Sequence, residues 1–242
     1  MYALFKKELT GFLGSLLGYI VIGVFLLVNG LLLWALPFTN ILEFGYATLD
    51  PLFANAPYVF LLLIPAVTMR TFAEEKKSGT LETLFTKPIS DIRIILAKYL
   101  ASLVLVLLSL LPTLLYVYTA GYLANPVWDV DFGAIWGSYI GLLLLASVYI
   151  AVGIFASTLT DNQIISFIYS VSLCLFLTFG MSELANFSSL RFVDLLILNL
   201  GLAEHYNSVS RGVIDTRDLL YFLSANALFL GLANLILQKR KW

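Results

Sequence analysis

Six long apolar windows punctuate this chain. Gly18–Pro37, Leu52–Met69, Tyr99–Trp128, Phe132–Thr160, Asn162–Ser182 and Leu219–Gln238 contain no Asp, Glu, Lys or Arg. Each is long enough for a helix rising ~1.5 Å per residue to cross a hydrocarbon core of ~30 Å. The pattern predicts an all-α membrane protein with six transmembrane helices. Pro57, Pro65 and Pro112 fall within or near the windows and are expected to kink them. The third window ends in YLANPVW (Tyr122–Trp128), whose turn residues and aromatics suit a membrane–water interface.

The segments around the windows carry their own periodicities. Tyr2, Phe5, Leu9, Phe12 or Leu13, and Leu16 recur at helical spacing with Lys6, Lys7 and Thr10 opposite. Residues 1–16 therefore read as an amphipathic helix lying in the interface. Gly133, Gly137 and Gly141 repeat every four residues, a stripe that allows close approach, either within one protomer or at a subunit interface. Between the fifth and sixth windows, residues 181–218 centre on FVDLLILNLG (Phe192–Gly201). That run is too short to span and too apolar to float free, so an outer re-entrant or interfacial helix is expected. No repeat or soluble domain is visible, and residues 1–242 read as a single membrane domain.

Composition agrees. Apolar residues make up 60% of the 242, against roughly 45–50% for a soluble chain. The net charge of −1, with no basic stripe, speaks against a nucleic-acid partner and leaves the bilayer as the first one. Orientation follows from Lys and Arg. With the N-terminus in the cytoplasm, Lys6, Lys7, Arg70, Lys76, Lys77, Lys87, Arg93, Lys98, Lys239, Arg240 and Lys241 fall inside, and Arg191, Arg211 and Arg217 outside. The eleven-to-three split predicts cytoplasmic termini. The run after Lys6 and Lys7 is spanning-length and lacks a small-x-small site, so no cleaved leader is expected.

Catalytic constellations are scarce. Cys174 is the one cysteine and His205 the one histidine, so Glu74-Glu75 has no histidine pair with which to bind metal. No Gly is followed by Lys, which rules out the GxxxxGK[ST] phosphate loop. No window carries an ionisable residue near its middle, where coupled carriers place one. The chain reads as a non-enzyme without metal or cofactor, and as a transporter it would draw its energy from another subunit. Asn29, Ser102, Ser109, Thr113, Asn226 and Asn234 read as helix–helix glue.

One charged segment interrupts the apolar pattern. Residues 70–93 hold nine charges and include EEKKSGTLETLFTKPIS, Glu74–Ser90. Each charge would cost roughly 2.5–3.5 kcal/mol at a membrane centre, so the segment lies in water or against protein. Leu81, Leu84 and Phe85 fall at i, i+3, i+4 and make one apolar face. Ser78-Gly79 marks a helix start, Glu82 sits near its positive end, Lys87 near its negative end, and Pro88 stops it. Ser90-Asp91 is expected to cap the next helix. On this pattern alone the short helix either docks a partner or packs on the bilayer surface or on the first interfacial helix.

The motif E-E-K-x-x-G-T-L-E-x-L-x-x-x-P-[IS]-S, with Lys98 at the next span, resembles that of ABC-2 type transporter permeases. The layout of interfacial helix, six spans, cytoplasmic helix and outer re-entrant segment is similar too. MYALFKKEL, the motif, and RGVIDTRDLLYF (Arg211–Phe222) together look most like the permease of the gliding-motility-associated ABC complex. The resemblance implies a coupling helix seated in a cleft of a separate ATPase subunit, which binds the ATP. Carried over residue by residue, Glu74, Glu75, Gly79, Thr80, Glu82 and Pro88 match the motif. Gly79 and Pro88 would shape the helix ends, the glutamates would pair with basic groups of the ATPase or of neighbouring helices, and Leu81, Leu84 and Phe85 would fill the cleft. The resemblance further implies a second permease subunit, identical or related, and an inner-membrane exporter. An ATP-independent channel or a motility scaffold is the alternative.

Overall fold

The computed structural model describes residues 1–37, 40–44, 48–86, 89–185, 197–212 and 215–239. Among them there is no strand, and six helices are long and apolar enough to cross a membrane. The architecture is all-α, as the six windows predict.

Helix α1 (Tyr2–Leu13) ends at a corner where Ser15 caps α2 (Leu16–Trp34), its hydroxyl accepting from the Gly18 N–H. A short α3 (Ile41–Phe44) precedes α4 (Asp50–Thr68), which runs unbroken through Pro57 and Pro65. At Met69 the chain passes directly into α5 (Arg70–Lys77), so the second span and the start of the charged segment form one 28-residue stretch. Gly79, at φ +71°, then turns the chain into α6 (Thr80–Phe85). A side chain there would crowd the following carbonyl, which is why glycine suits this turn.

The third span comprises α7 (Asp91–Leu110), a 3₁₀ turn over Leu111–Thr113 and α8 (Leu114–Leu123). The tightened turn falls at Pro112, whose missing N–H removes a helical hydrogen bond. Ser90 stands at the N-cap position of α7, but its side chain makes no capping bond there. In the turn that follows, the Trp128 ring lies over Gly121, where an added Cβ would come within 2.6 Å of it.

The fourth span is α9 (Phe132–Leu159), capped by Asp131, whose carboxylate accepts from the Ala134 N–H at 3.0 Å. α10 (Gln163–Leu175), a π turn (Phe176–Gly180) and α11 (Met181–Ala185) make the fifth. After them α12 (Leu202–Val209) leads towards the last span, α13 (Thr216–Lys239). Of the expected re-entrant helix at Phe192–Gly201, residues 192–196 lie outside the described residues. Asn199 and Leu200 form a turn that enters α12.

α9 is the hub. It packs against α4, α5, α7, α10, α12 and α13. Its most apolar window is 78% buried, against 22% for the corresponding windows of α10 and α13. Glycines permit the closest approaches: a Cβ on Gly153 would collide with Thr68 of α4. The Gly133–Gly137–Gly141 stripe faces the chain's own turn at the end of α12. A Cβ on Gly137 would lie 2.5 Å from Gly212 Cα, and one on Gly141 would lie 3.0 Å from Val209 Cγ1. Gly133 contributes backbone to the same contact, beneath Gly212.

The polar residues of the spans divide into two groups. Thr113 bonds to the Tyr139 hydroxyl at 2.8 Å, and Asn226 donates to Ser147 at 2.8 Å while accepting from Tyr99 at 3.1 Å. These join helices. Asn29, Ser102 and Ser109 instead bond to carbonyls of their own helices, at Phe25, Lys98 and Val106. The glue expected of them is absent from their described hydrogen bonds.

Candidate functional site

The charged segment folds into a helical hairpin, α5–Gly79–α6, at the end of the second span. α5 buries Thr71, Phe72 and Ala73 on one face, while Glu74 and Lys77 are exposed on the other. Thr71, Phe72 and the half-buried Lys76 meet different neighbours. The Thr71 hydroxyl lies 2.8 Å from that of Ser157, near the end of α9. Lys76 donates to the Thr158 carbonyl one residue on. Phe72 is fully buried, and its ring lies 5.1 Å from the ammonium of Lys98.

Lys98, which follows the motif at the next span, is a buried member of the site. It lies two turns into α7 and is 1% exposed, a position in which an ammonium requires partners. Glu75 from α5 accepts from it at 2.9 Å and Glu8 from α1 at 3.0 Å. Lys7 stands 4.0 Å from Glu75, which brings the four charges to balance. Three segments remote in sequence, α1, α5 and α7, are thus fastened at one atom. Glu75 Oε2 is buried without a partner among the described residues. It borders a cavity of about 290 Å³ whose lining includes Lys7, Glu8, Arg70, Glu74 and Lys98.

The periodic face of α1 turns inward at Phe5, Leu9, Phe12 and Leu13, which pack together against the core, while Leu16 is exposed. Leu4 and Phe12 are the buried residues, while Tyr2 is 76% exposed. The inward stripe runs Leu4–Glu8–Phe12 at every fourth residue, with the charge in the middle. α1 packs against α7 along this stripe. Apolar spacing alone does not reveal Glu8, because a carboxylate interrupts the stripe.

In α6, Leu81 is 4% exposed and joins the protein's main core, and Leu84 packs against that core. The apolar face of this helix is therefore in use inside the protomer at Leu81, where cleft filling would need it free. The side chain of Phe85 and the residues Lys87 and Pro88 lie outside the described ones. On the open side stand Glu74, Gly79, Thr80 and Glu82, all exposed. Ser78 ties the turn, its hydroxyl donating to the Glu74 carbonyl at 2.8 Å and lying 2.9 Å from that of Thr80. The structure thus gathers Glu74, Glu75, Gly79, Thr80, Leu81, Glu82 and Leu84 into one hairpin, with Glu75 and Leu81 turned inward.

A family model described as ABC-2 family transporter protein matches residues 39–236. The chain belongs to this family. No curated protein matches it. As an ABC-2 permease it is a membrane component of an ABC transporter, a type that normally works with an ABC ATPase. Glu75 and Lys98 fall in the matched stretch and Glu8 precedes it, so the buried charge cluster joins the family core to the N-terminal helix. Among the described residues no group of three or more His, Cys, Asp or Glu is placed to hold a metal ion.

Proposed function

We propose that this permease is the membrane-spanning half of an ATP-driven exporter, moved by a separate ATPase that grips the α5–Gly79–α6 hairpin from the cytoplasm. The observation that carries this reading is the division of the hairpin into two faces. One is polar and open, with Glu74, Gly79, Thr80 and Glu82. The other is bonded to the spans through Thr71, Glu75, Lys76 and Leu81. A force on the open face reaches α9 through Ser157 and Thr158, and α7 and α1 through Lys98. It also reaches α4, of which α5 is the continuation. Closure of two ATPase subunits would move these helices together.

On this reading Leu81 and Leu84 anchor the coupling helix from within, and the exposed polar residues meet the ATPase. ATP stays on the partner subunit. α1 lies in the cytoplasmic interface of a bacterial inner membrane with both termini inside, supported by the cation asymmetry. A second permease subunit, identical or related, completes the pathway. Service in gliding motility rests on the resemblance of MYALFKKEL, Glu74–Ser90 and Arg211–Phe222 alone.

The test is purification of tagged chain from its native membrane in mild detergent, with partners identified by mass spectrometry. Wild type should bring down an ATPase bearing a Walker motif. Glu82→Lys, which alters an exposed residue, should bring down several-fold less while inserting normally. A wild-type sample without any ATPase would sink the reading, and equal capture by both would remove Glu82 from the contact.

A further inference from the structure

We propose that the cleft between α2 and the α4–α5 stretch holds one phospholipid from the leaflet on the hairpin's side, with a headgroup that carries both a phosphate and a primary ammonium. Two cavities lie along this cleft. The first, of about 290 Å³, is bordered by Phe12 and Leu17 beside the corner between α1 and α2, and by Arg70, Glu74 and Glu75 of α5. The second, of about 320 Å³, is bordered by Val24, Val28 and Leu32 of α2 and by Asn55, Val59 and Leu63 of α4.

The two cavities follow one course. On α2, Leu17, Val24, Val28 and Leu32 are spaced by seven, four and four residues, which puts them on one side of the helix. Asn55, Val59, Leu63, Arg70 and Glu74 are spaced by four, four, seven and four along α4 and α5, with the same result. The depths agree as well. Seven residues separate Leu17 from Val24 and Leu63 from Arg70, about 10 Å of helix in each case. Leu17 and Leu63, one from each cavity, pack on the same small cluster, which includes Val21 and Val67. Half of the hydrocarbon core is about 15 Å, so an acyl chain rooted at the level of Leu17 reaches the second cavity.

The charges of the first cavity select the headgroup. Lys98 is matched by Glu8 and Glu75, and Lys7 stands 4.0 Å from Glu75. Arg70 and Glu74, one turn apart, form no ion pair among the described residues, and Glu75 Oε2 is buried without a donor there. Arg70 stands where the second span passes into α5, and Glu74 lies about 6 Å farther along the helix axis. From the bilayer outward the cleft therefore offers apolar side chains, then a guanidinium, then carboxylates. A phospholipid ending in ethanolamine presents acyl chain, phosphate and ammonium in that order. The guanidinium fork matches two phosphate oxygens, and the ammonium supplies N–H donors to the carboxylates. Choline carries the same charge without an N–H, and a glycerol headgroup carries no cation. A cavity of about 290 Å³ is near the small end of ligand sites, which suits a headgroup.

The test is native mass spectrometry of the full-length protein, extracted in mild detergent from nanodiscs of equimolar phosphatidylethanolamine, phosphatidylcholine and phosphatidylglycerol with identical chains. Wild type should keep one phosphatidylethanolamine, about tenfold in preference to either other lipid, the worth of one hydrogen bond to a charged group. Glu74→Gln should shrink that preference several-fold. Arg70→Gln should lower retention of all three lipids, since each carries the phosphate. Both residues are exposed, so neither change disturbs the core. Val24→Trp, at an exposed position of the second cavity, should reduce retention while leaving the order of headgroups unchanged. Soluble phosphoethanolamine has the headgroup without the chains and should fail to displace the lipid at the same concentration. Displacement by it overturns the proposal, as does equal retention of the three lipids by wild type. An Arg70→Gln variant that retains as much lipid as wild type overturns it too. The wild-type comparison decides by itself if a variant fails to fold.

Discussion

Lys98 Nζ lies 2.9 Å from Glu75 Oε1, so a buried charge in the third span holds the helix that leaves the second. The same ammonium holds Glu8 of the N-terminal helix. Lys98→Met would leave two carboxylates facing each other in a largely buried site. The expected loss is about 3–5 kcal/mol, as for an ion pair deprived of one partner. Thermal unfolding in detergent measures it. Adding Glu75→Gln to Lys98→Met should restore part of the stability, because one orphaned charge is removed. A double variant less stable than the single one would argue against the ion-pair account.

Gly79 turns the hairpin at φ +71° with no atom near its missing side chain. The constraint there is the backbone conformation, and space is open. Gly79→Ala should cost about 1 kcal/mol, while Gly79→Asn should cost less because asparagine tolerates this region. Equal melting temperatures for the alanine variant and wild type would mean that the turn relaxes.

Gly137 presents the opposite case, since its backbone conformation is ordinary and its space is taken. A Cβ would stand 2.5 Å from Gly212 Cα, which is backbone and has no side-chain end to swing away. Gly137→Val should destabilise by about 1–3 kcal/mol and loosen the turn after α12. Gly23→Ala, where nothing lies within 4 Å, serves as the neutral control. Matching stabilities for the two variants would contradict the close packing.

Thr71 and Ser157 carry the contact between hairpin and hub. In a double-mutant cycle of Thr71→Val and Ser157→Ala, the coupling energy should be about 1 kcal/mol, the value of one buried hydroxyl pair. Additive single effects would leave the Lys76–Thr158 bond as the polar contact between hairpin and hub.

Orientation can be read with thiols. Cys174 is fully buried, so the wild-type background of labelling by a charged maleimide should be low. Ser78→Cys should react only when the cytoplasmic side is open, and Asn207→Cys should react from the outside of intact cells. The reverse pattern would invert the topology.

Much of the fold was legible because membrane spans announce themselves locally. A run without charge, long enough to cross, needs no partner to be recognised, and the six windows match six helices. Pro112 and Gly79 mark a tightened turn and a left-handed turn for equally local reasons. The candidate site was legible in outline, since charges and a short amphipathic pattern marked residues 70–93. Its inner face was not. Apolar spacing showed that Leu81 and Leu84 share a side, but it could not tell a core from a partner's cleft. Glu8 was invisible because a single carboxylate in an amphipathic helix looks like part of the polar face. His205 offered no sequence signal of its partner, thirteen residues away across a turn.

The sequence by itself determined the helical class, the number of crossings, the cation asymmetry and the place of the charged hairpin. These follow from properties summed along short stretches of chain. Only the tertiary structure decided which carboxylates neutralise Lys98, that the glycine stripe receives residues 209–212, and that Asp218 meets the histidine. Each of those depends on two groups far apart in the chain arriving within a few ångströms. Burial then determines whether they matter, because a charge that water would screen must, inside, be matched by a neighbour.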